Sequence, residues 1–127
     1  MADQTPRVFS GDSGDISKKR FAVVVSSYNR PITGKLQEAA VQTLLREGAS
    51  AEHLEILWVP GAWELAVAAR KLVDRCDAII CLGCVIKGET THDQYINSML
   101  CQTLGQMSVE TLKPISFGVL TLSLIHI

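Results

Sequence analysis

The sequence predicts an α/β fold, a three-layer α/β/α sandwich around a four-stranded, mainly parallel sheet. Three observations predict it. Short β-branched apolar runs alternate with amphipathic helical stretches, which is the pattern of parallel pairing through right-handed crossovers. The runs are near-continuous rather than alternating, as in strands covered on both faces. With 127 residues and 47% hydrophobic content, the chain suits one domain around one core.

Residues 1–19 are polar and rich in Gly, Ser and Asp, and read as a mobile arm. Phe21-Ala-Val-Val-Val25 is the first strand, broken by the turn chemistry of Ser26–Pro31. A helix follows, with Leu36, Ala40, Val41, Leu44 and Leu45 on one stripe, Thr33 as N-cap and Gly48 as the residue after the C-cap. Leu54–Val59 is the second strand, and Pro60-Gly61 turns the chain. Glu64–Val73 reads as a helix whose Arg70, Lys71 and Arg75 sit where cations suit the dipole. Ala78–Ile86 is the third strand, His92 to about Met107 the third helix, and Pro114–Leu120 the fourth strand.

A formal net charge of −1 and a pI of about 6.3 argue against an electrostatic nucleic-acid binder. The apolar content is too high for a disordered chain. No apolar run reaches the roughly 20 residues needed to span a bilayer. The opening MADQTPRVFSGDSGD lacks the basic and apolar regions of a secretory signal. The expectation is a cytoplasmic protein without membrane or nucleic-acid partners.

Cys76, Cys81, Cys84 and Cys101 have the spacing of a plant-type iron–sulfur site, and Cys81-x-x-Cys84 alone that of a zinc or redox pair. Their context argues otherwise. An odd separation within a strand sends Cys81 and Cys84 to opposite faces. They read as small buried hydrophobes, and no metal is expected.

In open parallel sheets ligands bind beyond the carboxyl ends of the strands, which directs attention to the strand-to-helix turns. Gly83-Cys-Val-Ile-Lys-Gly-Glu-Thr-Thr-His92 leads from the third strand into a helix. Free N–H groups of a first helical turn beside Gly88 and two threonines make an anion site. His92 at its rim can move protons near physiological pH. The bland alternative is a Thr91 cap and a solvated histidine. Tyr28 and Trp63, just past two other strands, can stack on a flat heterocycle. Asn29 offers a donor and an acceptor for its edge, and Glu64 can accept from hydroxyls.

Val59-Pro-Gly-Ala-Trp-Glu64, Leu82-Gly-Cys-Val-Ile-Lys-Gly-Glu-Thr-Thr-His-Asp93 and Pro114-Ile-Ser-Phe-Gly-Val-Leu-Thr121 resemble the 6,7-dimethyl-8-ribityllumazine synthase family, over about residues 20–121. The resemblance implies a flavodoxin-like arrangement. It also implies a transferase of riboflavin biosynthesis that condenses 5-amino-6-(D-ribitylamino)uracil with 3,4-dihydroxy-2-butanone 4-phosphate, without a cofactor.

Carried onto this sequence, the family roles place Tyr28 against the pyrimidine with Asn29 beside it. Ala62, Trp63 and Glu64 would hold the ribityl chain, and Val85 and Ile86 the pyrimidine edge through backbone groups. Gly88, Glu89 and Thr90 would surround the phosphate, and His92 would transfer protons. Phe117 would cover the ring bound to a neighbouring subunit, which implies a homo-oligomer: a homopentamer, a pair of pentamers or an icosahedral capsid. A shell or flavin-like ligand-binding member of the fold without turnover is the alternative. Leu122–Ile127 do not resemble the family, whose corresponding region supplies a phosphate-binding arginine. The expectation is therefore an altered or truncated terminus with weakened phosphate binding.

Overall fold

A computed structural model describes residues 4–11, 14–88 and 91–123. Four strands, β1 (Phe21–Ser26), β2 (Leu54–Val59), β3 (Ala78–Ile86) and β4 (Ile115–Leu122), form one sheet in the order β2-β1-β3-β4. Every pairing is parallel. Phe21 lies opposite Leu54 and Ala78, and Ile79 opposite Ile115. Three helices, α1 (Arg30–Arg46), α2 (Leu65–Leu72) and α3 (His92–Thr111), make the crossovers.

Alternation along the strands sorts the core into two layers. Ala22, Val24, Ile79, Cys81 and Val85 pack against α2 and α3, with Leu65, Ala69, Leu100 and Leu104. Val23, Val25 and Leu82 face α1, with Leu36, Ala40, Val41 and Leu44. The stripe predicted for α1 is therefore the one that packs. Cys81 and Leu82 fall in opposite layers, so Cys84, at Leu82's parity, lies opposite Cys81 as the odd spacing requires.

Several boundaries differ from the sequence reading; the helix read as Glu64–Val73, for instance, is Leu65–Leu72. Thr33 is not the N-cap of α1; the helix begins at Arg30, capped by Asn29 in the left-handed region at φ 58°. Pro31 drives the change. Its fixed φ and missing N–H suit the first helical turn, while Thr33 is buried inside it. The end of α3 falls at Thr111 rather than near Met107. Its stop is Leu112 at φ 56°, where the Lys113 N–H bonds back to the Ser108 carbonyl at 3.3 Å. Gly48 does follow the α1 cap, at φ 108°, a conformation that favours glycine. β4 continues to Leu122, opposite Ile86.

Strand order reverses direction between β1 and β3, because α1 carries the chain one way across the sheet and α2 and α3 the other. A crevice at the carboxyl ends of these two strands is the geometric consequence. No described helix is long and apolar enough to cross a membrane.

Candidate active site

At that crevice lies a cavity of about 350 Å³, lined by Tyr28, Gly61, Ala62, Trp63, Cys84, Val85, Ile86, His92 and Ile96. Its walls come from three strand-to-helix turns, and short hydrogen bonds hold them together. After β1, Ser27 and Tyr28 donate their N–H groups to the carbonyls of Val59 and Pro60, at 2.7 and 3.1 Å. This ties the turn bearing Tyr28 to the turn after β2. Gly83 allows α2 to start close to β3: a Cβ there would stand 3.1 Å from Ser26 Oγ and 3.3 Å from Leu65 Cδ1. The Lys87 N–H donates to the Leu122 carbonyl at 2.7 Å, so the end of β4 fixes the start of the loop that leads to His92. Asn97 on α3 donates to Thr121 Oγ1 at 2.8 Å, anchoring the helix whose first residue is His92.

Six of the predicted site residues meet in this one cavity: Tyr28, Ala62, Trp63, Val85, Ile86 and His92. Tyr28 and Trp63 keep more than half their surface exposed, which leaves ring surface free to cover a ligand. Others stand elsewhere. The Asn29 amide donates to Cys84 Sγ at 3.9 Å, so Asn29 reaches the cavity wall through Cys84. Glu64 lines an adjoining groove of about 750 Å³ between α2 and α3, which shares Trp63 with the cavity. Phe117 sits mid-strand opposite Cys81, on the α3 side, away from its own chain's His92 cavity. Gly88 is exposed on the loop before α3, and Glu89 and Thr90 lie outside the described residues.

Three lining residues escaped the sequence reading: Gly61, Cys84 and Ile96. Ile96 had a signal, since it stands four residues after His92 and so one turn along the same helix face. Cys84 had one too, being next to Val85 at the strand end. Cys81 is a different kind of group. Burial pushes its thiol up to about 12, so it stays protonated through the ordinary pH range. No group of three or more potential metal ligands forms among the described residues.

A family model for 6,7-dimethyl-8-ribityllumazine synthase matches residues 18–126. The chain belongs to this family. The match covers the strands, the turns around the cavity and residues 122–126, which the motif comparison set apart. Membership places the chain among the transferase-type enzymes of riboflavin biosynthesis. Two of the sequence blocks that carry the resemblance meet in the cavity: Ala62 and Trp63 come from one, Cys84, Val85, Ile86 and His92 from another.

Proposed function

We propose that this chain condenses 5-amino-6-(D-ribitylamino)uracil with 3,4-dihydroxy-2-butanone 4-phosphate to give 6,7-dimethyl-8-ribityllumazine and inorganic phosphate. The observation that carries this reading is the convergence of residues from two of the resembling blocks, with Tyr28 from a third turn, on one cavity at the β1/β3 crevice.

The uracil ring stacks on Tyr28, and its polar edge pairs with backbone groups at Val85 and Ile86. The ribityl chain runs past Ala62 and Trp63 toward Glu64, whose carboxylate accepts from a hydroxyl. The groove beside Trp63 leaves room in that direction. The phosphate sits on the Gly88–Thr90 segment before α3, where the helix dipole favours negative charge.

In the reaction, the 5-amino group attacks the ketone and water leaves as the Schiff base forms. A proton is then taken from C3, phosphate leaves C4 with its bonding electron pair, and the resulting enol tautomerises to a new ketone at C3. The ribitylamino nitrogen closes the second ring on that new carbonyl with loss of another water. His92 accepts and returns protons in these steps. Holding amine and ketone together supplies the larger share of the rate, about 7–11 kcal/mol. Proton transfer through His92 adds a factor of about 10²–10⁴.

Phe117 is 40% exposed and is not among the residues that line this chain's cavity. It therefore serves a neighbouring copy, and the working unit is a homo-oligomer, a pentamer or a multiple of pentamers.

Absorbance of the lumazine formed from the two substrates tests the activity. His92→Ala is expected to slow turnover by that same ~10²–10⁴ factor while leaving measurable product. Wild-type protein that forms no lumazine overturns the reading. Light scattering tests the assembly, and a monomeric but active chain would remove Phe117 from the site.

A further inference from the structure

The opposite end of the sheet holds a second polar pocket, of about 240 Å³, lined by Arg20, Phe21, His53, Glu55, Arg75 and Cys76. These residues cluster at the amino ends of β1, β2 and β3, a full strand length of about 17–20 Å from the crevice. Three separate segments deliver its nitrogen groups: Arg20 is held through its backbone, His53 through its ring and Arg75 through one guanidinium nitrogen. Arg20 is locked to the residue before β3: its N–H donates to Asp77 Oδ2 at 2.7 Å, and its carbonyl accepts from the Asp77 N–H at 2.7 Å. That occupies the Asp77 carboxylate with backbone. The Arg20 guanidinium has no carboxylate partner among the described residues. Arg75 gives one nitrogen to Glu55 Oε2 at 2.8 Å, and its remaining donors have no acceptor among the described residues. His53 Nδ1 stands 3.1 Å from the Ser17 carbonyl. A carbonyl can only accept, so Nδ1 carries the proton and Nε2 is left over, with Glu52 at a long 3.9 Å.

We infer that this pocket binds a monohydrogen-phosphate group, as the free ion or as a small phosphate monoester. The donor set selects that chemistry. Two guanidinium forks match the charged oxygens of a phosphate, and the P–OH supplies the proton that a neutral Nε2 can accept. A carboxylate has no such proton to give. Cys76 closes the floor as an uncharged thiol, and the volume admits the anion with a short ester tail but no large ligand. Glu55 is the built-in competitor. It holds part of the Arg75 fork and repels an incoming anion, so the site is weak at rest and strengthens when Glu55 turns away. The inference stands on this pocket alone and is independent of the synthase reading.

Arginine modification by phenylglyoxal, read residue by residue by mass spectrometry on the intact protein, tests it in any oligomeric state. Inorganic phosphate is expected to protect Arg20 and Arg75 together, with one shared midpoint. Glu55→Gln should lower that midpoint several-fold, and Arg20→Ala should raise the midpoint for Arg75 by about tenfold. Glycerol phosphate protecting at lower concentration than inorganic phosphate identifies the monoester as the preferred ligand; the reverse order identifies the free ion. Equal protection by sodium chloride at matched ionic strength overturns the inference. So does separate protection of the two arginines, or a midpoint that neither variant moves. Arg20→Ala keeps the test open should Glu55→Gln unfold, because the Arg20 side chain makes no ion pair among the described residues.

Discussion

The two faces of the sheet are built differently. Among the described residues, the α2/α3 face carries a cluster of 17 buried residues, and the α1 face one of three. On the first face, Leu65, Ala69 and Leu100 are fully buried and in contact with strand residues at no exposure. On the second, Leu36, Ala40, Val41 and Leu44 are only partly buried. The difference shows where rigidity comes from. The face that carries Val85 and the start of α2 is dry and closely packed, and it holds the Trp63 and His92 sides of the cavity. The face that carries Cys84 meets the cavity through Cys84 itself, whose sulfur accepts from the Asn29 amide.

The largest expected effect tests that contrast directly. Leu65→Ala removes a side chain with no exposed surface and should cost about 2–5 kcal/mol of unfolding free energy. Leu44→Ala on α1, already partly exposed, should cost about 1 kcal/mol, in line with its smaller buried area. Denaturant unfolding of both variants checks the ranking. Equal costs would mean that the α1 face is covered by more than the described residues show.

A smaller effect probes the α1 face from the far strand. A Cβ at Gly118 would stand 2.9 Å from Leu82 Cδ2 and 3.2 Å from the Cys81 carbonyl. Leu82 belongs to the α1-side cluster and can swing, whereas the carbonyl is fixed in the sheet. Gly118→Ala should therefore destabilise by about 1–2 kcal/mol. Melting curves of this variant beside Gly34→Ala, where nothing lies within 4 Å, separate crowding from the ordinary gain of replacing a helical glycine.

The strands were legible in the sequence because a parallel sheet with both faces covered writes itself as continuous runs such as Ala22–Val25 and Ile79–Cys84. The α1 stripe was legible for the same reason of periodicity. Helix ends were not. The start of α1 depends on Asn29 adopting a left-handed backbone ahead of Pro31, and the end of α3 on Leu112 doing so. Leucine does not announce that conformation, and asparagine favours it without requiring it. In the site, residues at a strand's carboxyl end or in the turn after it were readable as neighbours of the crevice, as His92, Val85 and Trp63 were. The separation of Glu64 from the cavity was not, because it depends on how α2 and α3 splay around Trp63.

The smallest effect probes the α2/α3 face through Cys81. Burial on the α2/α3 face raises the Cys81 thiol from 9.0 to about 12. A raised folded-state pKa means that the native protein keeps its proton where the unfolded chain has lost it. Its contribution is thus intact below pH 9 and declines as pH rises from about 9 to about 12. At about 1.4 kcal/mol per pH unit, stability at pH 10 should fall by about 1 kcal/mol on this account. Cys81→Ala should be less stable at pH 7 because a packed sulfur is lost, yet its stability should fall less steeply between pH 8 and pH 10. Parallel slopes for wild type and Cys81→Ala in urea unfolding across that range would show that the thiol ionises without leaving the core, and that the α2/α3 face is wetter than its packing indicates.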